Sequence, residues 1–128
     1  MTIRNFTLLD FSRLLRFPPD EWSEAHSVTA HSLLKQNPTE RCVVAEEDAA
    51  LVGYAYGFVL PNETLFVDFV YVTPARRGSG VGAELIRALE RSSGCREVLV
   101  FFHKSLRGFY TRQGYETGTD LEAAVKPL

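Results

Sequence analysis

Val70-Tyr71-Val72-Thr73-Pro74-Ala75-Arg76-Arg77-Gly78-Ser79-Gly80-Val81-Gly82 is the stretch whose reading decides the fold. An apolar, β-branched strand pattern stops at Thr73-Pro74, a loop with two arginines and alternating glycines follows, and helical periodicity begins at Gly80. Glycines at 78, 80 and 82 remove side chains that would hold a ligand off the backbone, so several amide N–H groups can converge on phosphate oxygens. A helix starting there adds unpaired N–H groups and the positive end of its dipole. Residues Arg76, Arg77, Gly78, Ser79, Gly80, Val81, Gly82 and Ala83 thus read as an anion cradle. An ordinary tight strand-to-helix turn is the competing reading.

On the amino-terminal side, Thr2 to Phe6 predicts a short strand. Leu8, Phe11, Leu14 and Leu15 predict a helix stopped by Pro18-Pro19, and a second helix is expected from Pro19 to Gln36. Arg41 to Ala45, Leu51 to Leu60 and Leu65 to Val72, separated by polar turns, predict an antiparallel meander. On the carboxyl-terminal side, Val81, Leu85 and Leu89 form one helical stripe that Gly94 ends. Glu97 to Phe102 then predicts a strand, Ser105 to Gln113 a last helix, and Tyr115 to Lys126 one or two edge strands. The expected class is α/β (α+β): a mixed, mostly antiparallel central sheet of about six to seven strands, with about four helices on its faces.

Three phosphate-binding motifs compete for the glycine turn. A P-loop fails because no Gly-Lys-Ser/Thr follows the glycines. The dinucleotide fingerprint is matched literally by Gly78, Gly80 and Ala83, but the next strand ends Phe101-Phe102-His103-Lys104 without the acidic residue that binds ribose. The third pattern, Arg-x-x-Gly-x-Gly, is met by Arg77, Gly80 and Gly82. Here the chain resembles the GNAT superfamily of acetyl-coenzyme A-dependent N-acetyltransferases. Val72-Thr73-Pro74 matches the family's Val-x-Pro strand end, and Phe109-Tyr110-Thr111-Arg112-Gln113-Gly114-Tyr115 matches its later aromatic motif. The resemblance covers roughly Arg41 to Tyr115 and implies the acyl-CoA N-acyltransferase fold. One departure is Phe102-His103-Lys104-Ser105, where many relatives carry an asparagine that contacts the coenzyme.

The resemblance implies that the backbone of Val70, Tyr71 and Val72 holds the pantetheine arm of acetyl-coenzyme A and polarises its thioester carbonyl. It also implies that Tyr110 is the general acid, with a core aromatic on an apolar helix as the competing reading. A phenol stays protonated at neutral pH and can donate to a departing thiolate. A primary amine must in turn lose a proton, and Asp68, the charge inside Leu65 to Val72, is the matching base; a carboxylate on an open sheet face or paired with an arginine is the equal alternative. Tyr54, Tyr56 and Tyr71 are offered as walls of an acceptor cleft, and His103 as facing the coenzyme channel. His26 and His31, five apart on one helix, read as surface or partly packed side chains, and no metal is expected. Neither Cys42 nor Cys95 sits in a nucleophile's setting, which disfavours an acyl-cysteine route.

The implied activity is transfer of an acetyl group to the primary amine of a small molecule by direct attack in a ternary complex. A non-catalytic acyl-coenzyme A-binding module and acetylation of a protein amine are the alternatives. Composition narrows the partners: 128 residues, 45% hydrophobic, predict a single domain over residues 1–128, and a net charge of -2 lacks the basic excess expected of a nucleic-acid binder. No apolar run is long enough for a membrane span or signal segment, so a cytoplasmic location is expected, and edge strands leave room for a homodimer.

Overall fold

The structure, a computed structural model, describes every residue except Thr119 and Leu121. Among the described residues five strands form one sheet in the order β1-β2-β3-β4-β5: β1 (Thr2–Asn5), β2 (Glu40–Glu47), β3 (Ala50–Val59), β4 (Thr64–Val72) and β5 (Glu97–Val100). The first four are antiparallel neighbours, and β5 runs parallel to β4. Four helices accompany them: α1 (Phe11–Leu14), α2 (Ser23–Leu33), α3 (Val81–Ser93) and α4 (Arg107–Arg112). The expected sheet of six to seven strands is corrected to five. No strand forms in the tail from Tyr115 onward among the described residues, and part of that expected strand region, Thr119 and Leu121, lies outside them.

Alternation along the strands divides the core in two. On one face Val44, Tyr54, Tyr56 and Tyr71 pack with Leu14 of α1, Phe17 of the loop after it, and Ala30 and Leu33 of α2. On the other, Val43, Ala45, Ala55, Leu65 and Val67 pack with Val81, Leu85 and Leu89 of α3. The α3 stripe is thus buried as its spacing requires, and Gly94 closes the helix in the left-handed conformation at φ 69°. Among the described residues no helix is long and apolar enough to cross a membrane.

One irregularity in β4 positions everything that follows. Tyr56 pairs with Phe69 but its neighbour Gly57 pairs with Val67, so Asp68 is an extra residue, a β-bulge. Gly57 is needed opposite it: a Cβ there would lie 2.5 Å from the Phe66 carbonyl oxygen. The bulge also resets side-chain parity. Leu65 and Val67 before it, and Val70 and Val72 after it, all face α3, whereas Phe69 and Tyr71 face the α1–α2 side.

Candidate functional site

Pairing between β4 and β5 runs from Thr64↔Glu97 to Val67↔Val100 and stops at the bulge. Beyond it β4 keeps β3 on one edge and, among the described residues, has no strand on the other, so the backbone from Asp68 to Val72 borders an open gap. The chain after β5 turns away into a single 3-10 turn, Lys104–Leu106. His103 Nδ1 accepts the Ser105 amide at 3.2 Å, so His103 caps that turn. The result is a cleft of about 790 Å³, within the size range of small-molecule sites.

The cleft brings together most of the site residues expected from sequence. Asp68, Val70, Val72, Arg76, Arg77, Gly78, Gly80, Gly82, Ala83 and Tyr110 all line it. Ser79, Val81 and Tyr71 do not: the Ser79 hydroxyl donates to the Arg76 carbonyl, the Val81 side chain is buried between α3 and the sheet, and the Tyr71 side chain is buried in the opposite core. Tyr54 and Tyr56 are core residues as well, so the three tyrosines offered as acceptor walls are corrected to packing residues. Trp22, Phe69, Phe101, Phe102, Leu106, Phe109 and Arg112 line the cleft instead, and His103 joins them.

At the α3 end, Gly80 is the N-cap residue with φ 89° and ψ 0°, and the first helical bond runs from the Glu84 amide to its carbonyl at 3.1 Å. The amides of residues 81–83 precede that bond and have no intrahelical partner. No side chain caps them. The adjacent arginines are already engaged. Arg76 is ion-paired to Glu47. Arg77 donates through Nε to the Val72 carbonyl at 2.9 Å, lies 3.6 Å from Asp20, and sits over the Tyr71 ring at 5.6 Å. Unpaired backbone amides, not free arginines, are therefore what this end offers an anion such as the diphosphate of acetyl-coenzyme A. The residues fit that group: a helix terminus without a cap, glycines with open space around their missing Cβ atoms, and a free strand edge beside them.

Tyr110 is buried, with its ring stacked on Phe102 at 4.5 Å and edge-on to Phe109 at 5.0 Å and Tyr115 at 5.4 Å. Its hydroxyl has no hydrogen-bond partner among the described residues, and burial raises its pKa above the ordinary phenol value. Asp68 is exposed on the cleft lining, yet its partly apolar surroundings withhold enough solvation to raise its pKa above the ordinary carboxylate value. No arginine pairs with it among the described residues, which removes one of its alternative readings. Burial pushes the Cys42 thiol up, keeping it protonated, and neither cysteine lines the cleft.

His26 differs from its sequence reading. It is buried against Phe17, Tyr54 and Tyr71, with Nδ1 2.9 Å from the Tyr54 hydroxyl. Desolvation lowers its pKa, with the Asp20 charge opposing. Its five-residue spacing from His31 gave no hint of this, because burial there depends on how α2 rests on β3 and β4.

Residues 10–115 match the family model described as Acetyltransferase (GNAT) family. Among curated proteins the chain is similar to L-2,4-diaminobutyric acid acetyltransferase of Marinococcus halophilus, 40% identical over 62 residues, covering 47% of this chain and 36% of that protein. It is also similar to the enzyme of the same name from Shouchella clausii, 23% identical over 100 residues, 77% of this chain and 56% of that one. The chain thus spans about a third to a little over half of these relatives. Among solved structures, the aminoglycoside N-acetyltransferase AAC(6')-Iy in complex with CoA superposes with TM-score 0.76 at 18% identity, covering 99% and 100% of the two chains. The ribosomal-protein-alanine N-acetyltransferase from Brucella melitensis biovar Abortus 2308 gives TM-score 0.75 at 19% identity over the full length of both.

Proposed function

The chain belongs to the GNAT acetyltransferase family, and from that premise we propose that it moves an acetyl group from acetyl-coenzyme A to a primary amine of a small molecule by direct attack in a ternary complex. The observation that carries the reading is one continuous cleft lined by the uncapped α3 terminus, the free edge of β4, Asp68 and Tyr110. Bound coenzyme supplies the acetyl group as a thioester, already activated for attack.

The chain's own residues then have separable tasks. Amides at the start of α3 hold the diphosphate, and the β4 backbone from Val70 to Val72 holds the arm and faces the carbonyl oxygen as it gains negative charge. Asp68 takes the proton that the ammonium must lose, directly or through water, and its raised pKa makes it a better base than a free carboxylate. The nitrogen lone pair forms the C–N bond, the C–S bond breaks, and its electron pair stays on sulfur. Tyr110 donates its proton to that sulfur, giving the free thiol. The phenolate takes the second proton that the acylated nitrogen must lose, directly or through water, and Asp68 gives its own proton to solvent when the products leave. The buried, protonated Cys42 takes no part, in keeping with direct transfer.

The names of the curated relatives make L-2,4-diaminobutyric acid the first acceptor to try. The test is thiol release from acetyl-coenzyme A in the presence of a panel of amines, with the acetylated product identified by mass spectrometry. Thiol release that depends on the amine is the expected result. Saturable coenzyme binding without thiol release across the panel would reassign the chain as an acyl-coenzyme A-binding module.

A further inference from the structure

The α1–α2 side of the cleft carries an apolar surface that coenzyme binding at α3 leaves unexplained. Trp22 is 44% exposed, Phe101 68% and Leu106 44%, and all three line the cleft beside Asp68. Trp22 meets Phe69 edge-on at 5.6 Å, and Phe101 meets Phe66 edge-on at 5.7 Å. Phe69 packs on the side away from α3, and Trp22 comes from the segment preceding α2. Exposed aromatic side chains gathered around one opening are the signature of a surface covered in use.

Charge around this mouth is sparse. Asp20, the other carboxylate nearby, already accepts from the Tyr71 hydroxyl at 2.9 Å and the Trp22 amide at 2.8 Å, and it faces Arg77. Asp68 is the one carboxylate on the cleft lining among the described residues. Arg76 and Arg77 are engaged as described, and Arg112 belongs to α4, whose Phe109 approaches Gly82 from the α3 side. One carboxylate matches one ammonium group. A second charge on the acceptor would lose its hydration against rings that return no hydrogen bond, whereas a flat apolar body packs on them edge-on or offset-stacked.

We propose that the preferred acceptor is a monoamine whose aminoalkyl arm carries an aromatic or similarly flat apolar body, with its nitrogen at Asp68 and its body among Trp22, Phe69 and Phe101. This rests on the acetyl-transfer reading above for its chemistry, but the recognition it describes is a binding property of the cleft. It separates this chain from the diamino acid named for its curated relatives.

The experiment compares 2-phenylethylamine, ethylamine, putrescine and L-2,4-diaminobutyric acid with acetyl-coenzyme A. The specificity constant kcat/KM for 2-phenylethylamine is expected to exceed that for each of the others by roughly tenfold or more, the advantage residing in KM. Trp22→Ala and Phe101→Ala are each expected to lower the 2-phenylethylamine-to-ethylamine ratio about fivefold to tenfold. Trp22 is the chain's single tryptophan, so its fluorescence reports binding without turnover. With free coenzyme A present, 2-phenylethylamine is expected to shift the emission saturably, and diaminobutyric acid is not. Faster turnover of the diamine or the diamino acid would overturn the inference and leave acetyl transfer standing. A saturable shift without thiol release from any amine would do the reverse, keeping the aryl-amine site and removing the enzyme. Neither a shift nor thiol release would remove both.

Discussion

Replacing Tyr110 by phenylalanine separates the chemistry of the cleft from its architecture. The ring contacts to Phe102, Phe109 and Tyr115, at 4.5, 5.0 and 5.4 Å, are all available to a phenylalanine. The hydroxyl donates to nothing among the described residues, so its removal breaks no hydrogen bond and leaves no partner unsatisfied. Folding free energy should therefore change by less than about 1 kcal/mol, and the affinity for coenzyme should stay within about twofold. Turnover should behave differently. A thiol with a pKa of about 8.5 is a poor leaving group as a bare thiolate in an apolar cleft, and loss of a positioned proton donor costs roughly 10²–10⁴ in rate. That corresponds to about 3–5 kcal/mol on the barrier.

The assay is thiol release at saturating amine, with kcat and the KM for acetyl-coenzyme A measured separately and the thermal midpoint recorded for both proteins. The reasoning also fixes a second dependence. An acyl donor whose thiol is more acidic needs less help, so the ratio of wild-type to Tyr110→Phe turnover should narrow as the leaving thiol's pKa falls. A variant with kcat within threefold of wild type would refute the acid role. A loss confined to KM would assign Tyr110 to coenzyme packing alone.

Three further expectations follow from the same geometry. Asp68 accepts a proton only when ionised, and its pKa lies above the ordinary 3.8; kcat/KM should rise with pH through that raised value, and Asp68→Asn should lose this limb and about 10² in rate, so a pH profile with the limb intact in the variant would exclude it as the base. Gly80→Val forces a β-branched residue to φ 89° and places its side chain in the open space before the α3 amides; calorimetric titration should show coenzyme affinity falling by more than about tenfold, and normal affinity would refute the amide cradle. Asp10 is fully buried between Arg4 at 2.8 Å and Arg13 at 3.1 Å, and although burial alone would raise its pKa, these guanidinium groups and the Thr7 amide hold it below 3.8. Its contribution is complete above about pH 4 and is lost as pH falls through the depressed value, so Asp10→Asn should cost about 3 kcal/mol in urea unfolding at neutral pH and should flatten the acid side of the stability profile.

Much of the scaffold was legible because its periodicities are strong. The meander, the α3 stripe and the glycine turn each announce themselves in a short window, and the structure sets them within a residue or two of their expected places. The tail was misread because a strand pattern without a partner edge carries little information, and no strand forms there among the described residues. The β4 bulge was the costlier omission. Small apolar residues fall at 65 and 67 and then at 70 and 72, while aromatics fall at 66 and then at 69 and 71. The repeat steps from two to three across Asp68, which is the signal of an inserted residue. Without that inserted residue, nothing in the run explains why the charge is tolerated there. Its omission also left the tyrosines of β3 and β4 free to be assigned to a cleft from which the core removes them.

The near-balance of charge, net -2, acquires a local meaning from the loop. Arg76 and Arg77 look in sequence like the anion-binding groups, yet the structure spends them on Glu47 and on Asp20 with the Val72 carbonyl. Arg76 thereby ties the loop to the end of β2, and Arg77 ties it to the segment before α2 that carries Trp22. Side-chain charge thus anchors the glycine turn to two neighbouring segments, and the backbone amides are what is left for an anion. A diphosphate narrow enough to reach a helix terminus would find unpaired donors already oriented there. On the proposed reading, access to amides, rather than accumulated charge, lets an acidic chain of this size hold an anionic coenzyme.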